Sequence, residues 1–181
     1  SVTLNVTNPT ETSEEAVKAA LKAALNSVGA DTLNGRAISA AMIAIKSALA
    51  DPNASALGSV SVSFVISNKV DGADNVANVK TIATIAGDAY EANTETRFNP
   101  ETQVASTQGN VSSKASAAAK PVIMTVDANG KVTGSVGNAT VADTTVDTAA
   151  KEALLTPTSA QTAETTATVV PDNTIVASGT N

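Results

Sequence analysis

The sequence predicts an α+β fold: an N-terminal strand and an αα-hairpin packed on a small antiparallel sheet, with a β-hairpin and an extended C-terminal arm. Three observations carry this reading. Apolar residues recur at helical spacing between positions 13 and 50, they alternate with polar ones at 59–67 and 121–136, and the tail is β-branched and nearly uncharged. The chain divides accordingly into an α+β body (1–90), a polar loop (91–120), a β-hairpin (121–137) and a Thr/Ala/Val-rich arm (138–181).

Val2, Leu4 and Val6 alternate with Thr3, Asn5 and Thr7, a strand ended by Asn8-Pro9. Thr12 and Glu15 then have capping-box spacing. Val17, Leu21, Leu25 and Val28 make one apolar stripe, and Gly29 suits the position after a helix end, so a helix is expected at about 13–28. A second is expected at about 35–50, from Ile38, Met42, Ile45 and Leu49 up to the stop at Asp51-Pro52. Both are rich in Ala, which lets helix axes approach closely.

Val60, Val62, Phe64 and Ile66 share one face of a strand whose other face is mostly Ser. A turn at 70–74 leads to a strand at about 78–86, expected to pair with 59–68. Residues 87–120 contain few large apolar groups and read as a long polar loop. In the hairpin, Asp127-Ala128-Asn129-Gly130 has the residues of a type I turn followed by a left-handed Gly. A three-residue loop sets Asp127 opposite Lys131, Val126 opposite Val132, Thr125 opposite Thr133 and Val122 opposite Val136, so that like faces like. Beyond it, a helical turn is expected at about 147–155, ended by Pro157.

Composition limits the chemistry. The 181 residues include 35 Ala and 21 Val but only eight Leu and eight Ile, and 11 basic against 17 acidic groups give a net charge of −6. There is no Cys, His or Trp, which excludes disulfides, thiolate nucleophiles, Cys-based zinc sites and imidazole bases. Two Phe and one Tyr cannot form a base-stacking platform, and the acidic balance opposes phosphate, so no nucleic-acid partner is expected. No apolar run approaches the roughly 18 residues of a membrane-spanning helix, and no membrane partner is expected. A core of small side chains buries little area per residue, so packing against other chains is expected to add stability.

Candidate sites are few. Asp127, Asn129 and Gly130 resemble a fragment of a calcium loop but lack its remaining ligands, and turn chemistry explains them. Asp71, Asp74 and Asp88 would meet only if the 59–86 hairpin gathered them, and Asp143 and Asp147 lack a visible cleft. No P-loop or dinucleotide fingerprint is present, and no cofactor, metal or catalytic residue is assigned. Tyr90 and Arg97 are candidate interface anchors, residue types favoured in such places. Residues 158–181 carry only two charged groups, Glu164 and Asp172. The tail's β-branched clusters, with Val169, Val170, Ile175 and Val176, suit pairing with an open sheet edge on another molecule.

The expected role is therefore contact and not catalysis. The specific expectation is a non-enzymatic subunit of a bacteriophage virion, such as a capsid decoration or cement protein, bound to the major capsid protein or other virion subunits and to copies of itself. The start at Ser1, as after loss of an initiator Met, fits assembly in a host cytoplasm. The alternative is a secreted surface module of S-layer, pilus or adhesin type, located outside the cell.

Overall fold

The computed structural model describes residues 2–8, 21–26, 28–29, 32–48, 60–85, 88–113, 118–143, 146, 148–155, 165–169 and 175–179. In chain order the elements are β1 (Val2–Asn8), α1 (helical residues within 21–28), α2 (Leu33–Ala48), β2 (Val60–Asp71) and β3 (Asp74–Ile85). They continue with β4 (Asp88–Asn99), β5 (Val104–Ser113), β6 (Lys120–Val126), β7 (Val132–Val136), β8 (Ala139–Ala142), α3 (Thr148–Leu155), β9 (Thr165–Val169) and β10 (Ile175–Gly179). All ten strands form one sheet in the order β10-β9-β1-β2-β3-β4-β5-β6-β7-β8. Every neighbouring pair is antiparallel except β1 and β9.

The helices lie on one face of this sheet, which makes an α+β fold as expected. α2 crosses β3, β4 and β5, and α3 packs beside it. Thr32 caps α2: its Oγ1 accepts the Gly35 amide at 3.0 Å, and the helix starts at Leu33, two residues before the expected position. The upstream half of the first expected helix, 13–20 with its capping box, lies outside the described residues. Leu21, Ala23, Ala24, Leu25 and Val28 of α1 are buried, and the Gly29 amide donates to the Leu25 carbonyl at its end (2.9 Å).

The expected pairing of 59–68 with 78–86 is observed, extended to a hairpin in which Phe64 stands opposite Thr81 and Ile66 opposite Val79. The 121–136 hairpin has the expected register, with Val126 opposite Val132, Thr125 opposite Thr133 and Val122 opposite Val136. Asp127 pairs its amide with the Lys131 carbonyl (3.1 Å), and its Oδ1 accepts the Asn129 and Lys131 amides, both at 2.9 Å. Gly130 supplies the left-handed residue at φ +83°. This hairpin is part of the body sheet, since β6 continues it through β5.

Three expectations are corrected. Residues 91–120 are not a polar loop: most of β4 and all of β5 occupy them. Alternation is present there, but most core-facing positions, between and around Phe98 and Val111, are Ala92, Thr94, Thr96, Ala105 and Thr107, small or hydroxylated residues that alternate weakly in hydropathy. Thr96 and Thr107 face each other across the strands and share a hydroxyl hydrogen bond of 2.8 Å, which lets them be buried. The segment 138–181 is not simply an extended arm, because it contains β8, α3, β9 and β10. Finally, β9 pairs with β1 of its own chain, Val2 opposite Thr165 and Val6 opposite Val169.

The core depends on close approach as well as on apolar area. At Gly109, on β5, a β-carbon would collide with the Asn93 carbonyl oxygen and the Thr94 Cα of β4. Gly109→Ala is expected to force these strands apart and cost about 1–3 kcal/mol, the range for overpacking a tight core. Denaturant unfolding checks this; a loss under about 0.5 kcal/mol, as at ordinary surface positions, would refute the close approach.

Candidate functional site

The helix-free face of the sheet is a chemically distinct surface among the described residues. Period-two alternation sends Phe64, Ile66, Val79, Ala92, Val122 and Met124 under the helices and their neighbours outward. The outward positions of β2 to β7 are mainly Ser, Thr, Asn and Gln, with three exposed aliphatic residues: Val65 (46% exposed), Ile82 (45%) and Ile123 (57%). A shallow depression of about 460 Å³ crosses β2 to β5 on this face, lined by Val65, Ser67, Asn78, Lys80, Asn93, Glu95 and Gln108 among others. It is open to solvent and more of its lining surface is apolar than polar, with no convergent acid–base pair among the described residues.

Arg97 organises one end of this face. Its guanidinium reaches Glu95 at 2.7 Å, Asp71 at 2.9 Å and Asp74 at 3.5 Å. Glu95 lies two residues away on the same side of β4, and Asp71 and Asp74 flank the two-residue β2–β3 turn. The fork therefore clamps the hairpin tip to β4. Val76, flanked in register by Lys69 and Arg97, is fully buried although alternation points it to the open face. The Arg97 hydrogen bond and charge hold the Asp71 carboxyl below its usual range.

The other expected interface residues are placed differently. Tyr90 is only 6% exposed and belongs to the core under the helices, on the opposite face from Arg97, so the two do not form one site. Val169 lies at the end of β9, and Ile175 and Val176 begin β10, where Ile175 pairs with Val169. Val170 lies outside the described residues. Asp88 pairs with Ile85 at the opposite end of β3 from Asp71 and Asp74, so the three acids do not meet. Asp127 serves its turn, and Asp143 accepts the Val132 amide (3.0 Å) and faces Lys151 (3.7 Å). Asp147 lies outside the described residues.

Sequence reasoning missed Arg36. It is 3% exposed, stacks 4.6 Å above the Phe98 ring and donates from Nη1 to the Leu154 carbonyl at the end of α3. A cation there also meets the negative end of the helix dipole. Burial lowers its pKa to about 10, so it stays charged at neutral pH. The signal was a lone Arg between apolar positions of a helix; its aromatic partner, Phe98, sits in a strand read as loop.

Among the described residues no cluster of acids could hold a metal ion, and no helix is long and apolar enough to cross a membrane. The chain is a two-layer α+β protein with helices on one face of a ten-stranded sheet. No family model, curated protein or solved structure matches it.

The Arg97 clamp makes a pH-dependent contribution. Because the folded Asp71 value is lowered, the contribution is present above the ordinary carboxylate range and is lost as pH falls through the lowered value. Arg97→Gln is expected to move the Asp71 titration upward, toward an unpaired Asp, in an NMR carboxyl titration. An unmoved Asp71 curve would rule out the clamp as its cause.

Proposed function

We propose that this chain is a non-catalytic structural subunit of a large assembly, and specifically a bacteriophage virion protein of the capsid decoration or cement kind. The observation that carries the reading is the open sheet face: broad, with its charges largely paired among themselves around Arg97 and between Lys80 and Glu91, and punctuated by exposed Val65, Ile82 and Ile123. A decoration subunit needs that kind of surface, because it gains binding energy by adding buried area to contacts in a repeated shell. Partners would be the major capsid protein or other virion subunits, together with further copies of this chain, and the location would be the virion, assembled in the host cytoplasm. The small-residue core supports the same reading, since added contacts supplement a modest store of buried area.

The Thr, Ser and Asn of the outward face suit an extracellular structural module as well. The gene distinguishes the two: an apolar leader encoded upstream of Ser1 would select the secreted S-layer, pilus or adhesin reading.

Ile123→Lys together with Ile82→Lys tests the surface directly. These outward positions contribute little to the core, so thermal unfolding should be nearly unchanged. Occupancy on purified particles, measured by quantitative gel or mass spectrometry, should fall roughly tenfold or more, the consequence of losing about 1.4 kcal/mol of contact. Wild-type occupancy in the double variant would remove the open face from the interface. Failure of the unmodified chain to co-purify with any particle or surface lattice would overturn the assembly reading itself.

A further inference from the structure

We infer that Arg36 holds a small monovalent anion, chloride in ordinary media, in the cavity where α2, the end of α3 and the β4–β5 and β6–β7 turns meet. The inference goes beyond the assembly reading and does not rest on it. Its basis is a buried cation with one hydrogen-bonding edge left open.

Arg36 is almost wholly buried, and every N–H of its guanidinium needs a partner there. Nη1 donates to the Leu154 carbonyl, and the plane stacks on Phe98. Nε is buried and has no hydrogen-bond partner, and among the described residues Nη2 has none either. The Nε–Nη2 edge is the fork with which Arg grips an anion through paired hydrogen bonds. No carboxylate among the described residues is ion-paired with Arg36. A lone charge taken out of water is costly, and an anion in the fork offsets that cost more fully than a neutral water does.

The cavity beside the guanidinium measures about 20 Å³. It is walled by Arg36, Phe98 and Leu154 and, from the two turns, by Gln103, Asp127 and Ala128. A water-sized occupant needs roughly 10–15 Å³, so the space admits one monatomic ion and rejects sulfate or phosphate.

Gln103 is a second, independent sign. It is the non-glycine residue with positive φ (+59°) among those described, a strained conformation of the kind that collects at ligand clamps. Its side chain is exposed and supplies an amide NH2, a donor suited to an anion at the cavity mouth.

Asp127 is the acid on the cavity wall. Its Oδ1 accepts the Asn129 and Lys131 amides, which tie that oxygen to its own turn. The negative end of α3 is met by Nη1 through the Leu154 carbonyl. Both features oppose an anion at longer range, so the site takes a single charge and holds it weakly.

Chloride-35 NMR on the full chain reads weak, exchanging binding of this kind. The excess linewidth should saturate with chloride and fall when bromide is added, and sulfate at matched ionic strength should leave it unchanged. Arg36→Gln should weaken binding roughly tenfold or more, as the loss of a charge-assisted hydrogen bond implies. Should that variant fail to fold, crystals of the unmodified chain in bromide decide the matter, with an anomalous peak expected within hydrogen-bond reach of Nε. An ordered water there without anomalous signal, or chloride broadening that Arg36→Gln leaves intact, would overturn the anion site. Either result leaves the assembly reading standing, because the cavity lies on the helix side of the sheet and not on its open face.

Discussion

The structure depends on burying α2 on all sides. Every residue from Leu33 to Ile45 is buried, whereas an ordinary surface helix hides one stripe and wets the other. The sheet covers one side and α3 covers a flank. Ala37, Ala40, Ala41 and Ala44 keep the helix thin enough for such enclosure, and Ile38, Met42 and Ile45 fill the volume between. Enclosure also forces its polar residues to find partners inside. Ser39 donates to the Gly35 carbonyl at 2.9 Å, and Asn34 accepts from Asn68 at 2.6 Å, tying the helix start to β2. Arg36 joins the end of α3 to β4 through one guanidinium. A charge in that place costs desolvation, so its contribution lies in fixing the arrangement of layers more than in net stability.

The small-residue economy of the helix is mirrored beneath it. Thr81, Thr94, Thr96 and Thr107 occupy core-facing positions where Val would be isosteric. Here lies the reason that some elements were legible in the sequence and others were not. β2, β3 and the β6–β7 hairpin place Val, Ile, Phe and Met inward against polar residues outward, and their pairing followed from alternation and from one turn. β4 and β5 place Ala and Thr at most inward positions, with Tyr90, Phe98 and Val111 spaced far apart among them, against Asn, Glu, Ser and Gln outward, so their alternation carries little local hydropathy contrast. The readable signal in that region was the turn: Asn99 Oδ1 accepts the Glu101 and Thr102 amides at 2.9 and 3.2 Å, as Asn-Pro sequences favour.

Tyr90 and the parallel pairing of β9 with β1 were hidden for other reasons. A lone Tyr reads equally as an anchor or as core, and only its register position opposite Ala83 decides for the core. The β1–β9 pair joins residues at opposite ends of the sequence, and no local pattern encodes such a partner. The candidate surface was half visible in the same sense. Arg97 stood out as an isolated cation, but its three carboxylates converge on it only because β2, β3 and β4 are neighbours. The open face as a whole emerges only once β4 and β5 are recognised as strands.

The position of β1 also has a consequence for the order of events during synthesis. Its antiparallel partner β2 begins at residue 60, after the first helices, whereas β9 begins only at residue 165. At roughly 5–20 residues per second, a ribosome needs about 10–30 s to pass from one member of the β1–β9 pair to the other. For that interval each nascent chain displays a bare strand edge, on a polysome where neighbouring chains are at different stages of completion. The last strands to be made therefore meet an acceptor that has been waiting since the first, and neighbouring ribosomes determine how many such acceptors are within reach.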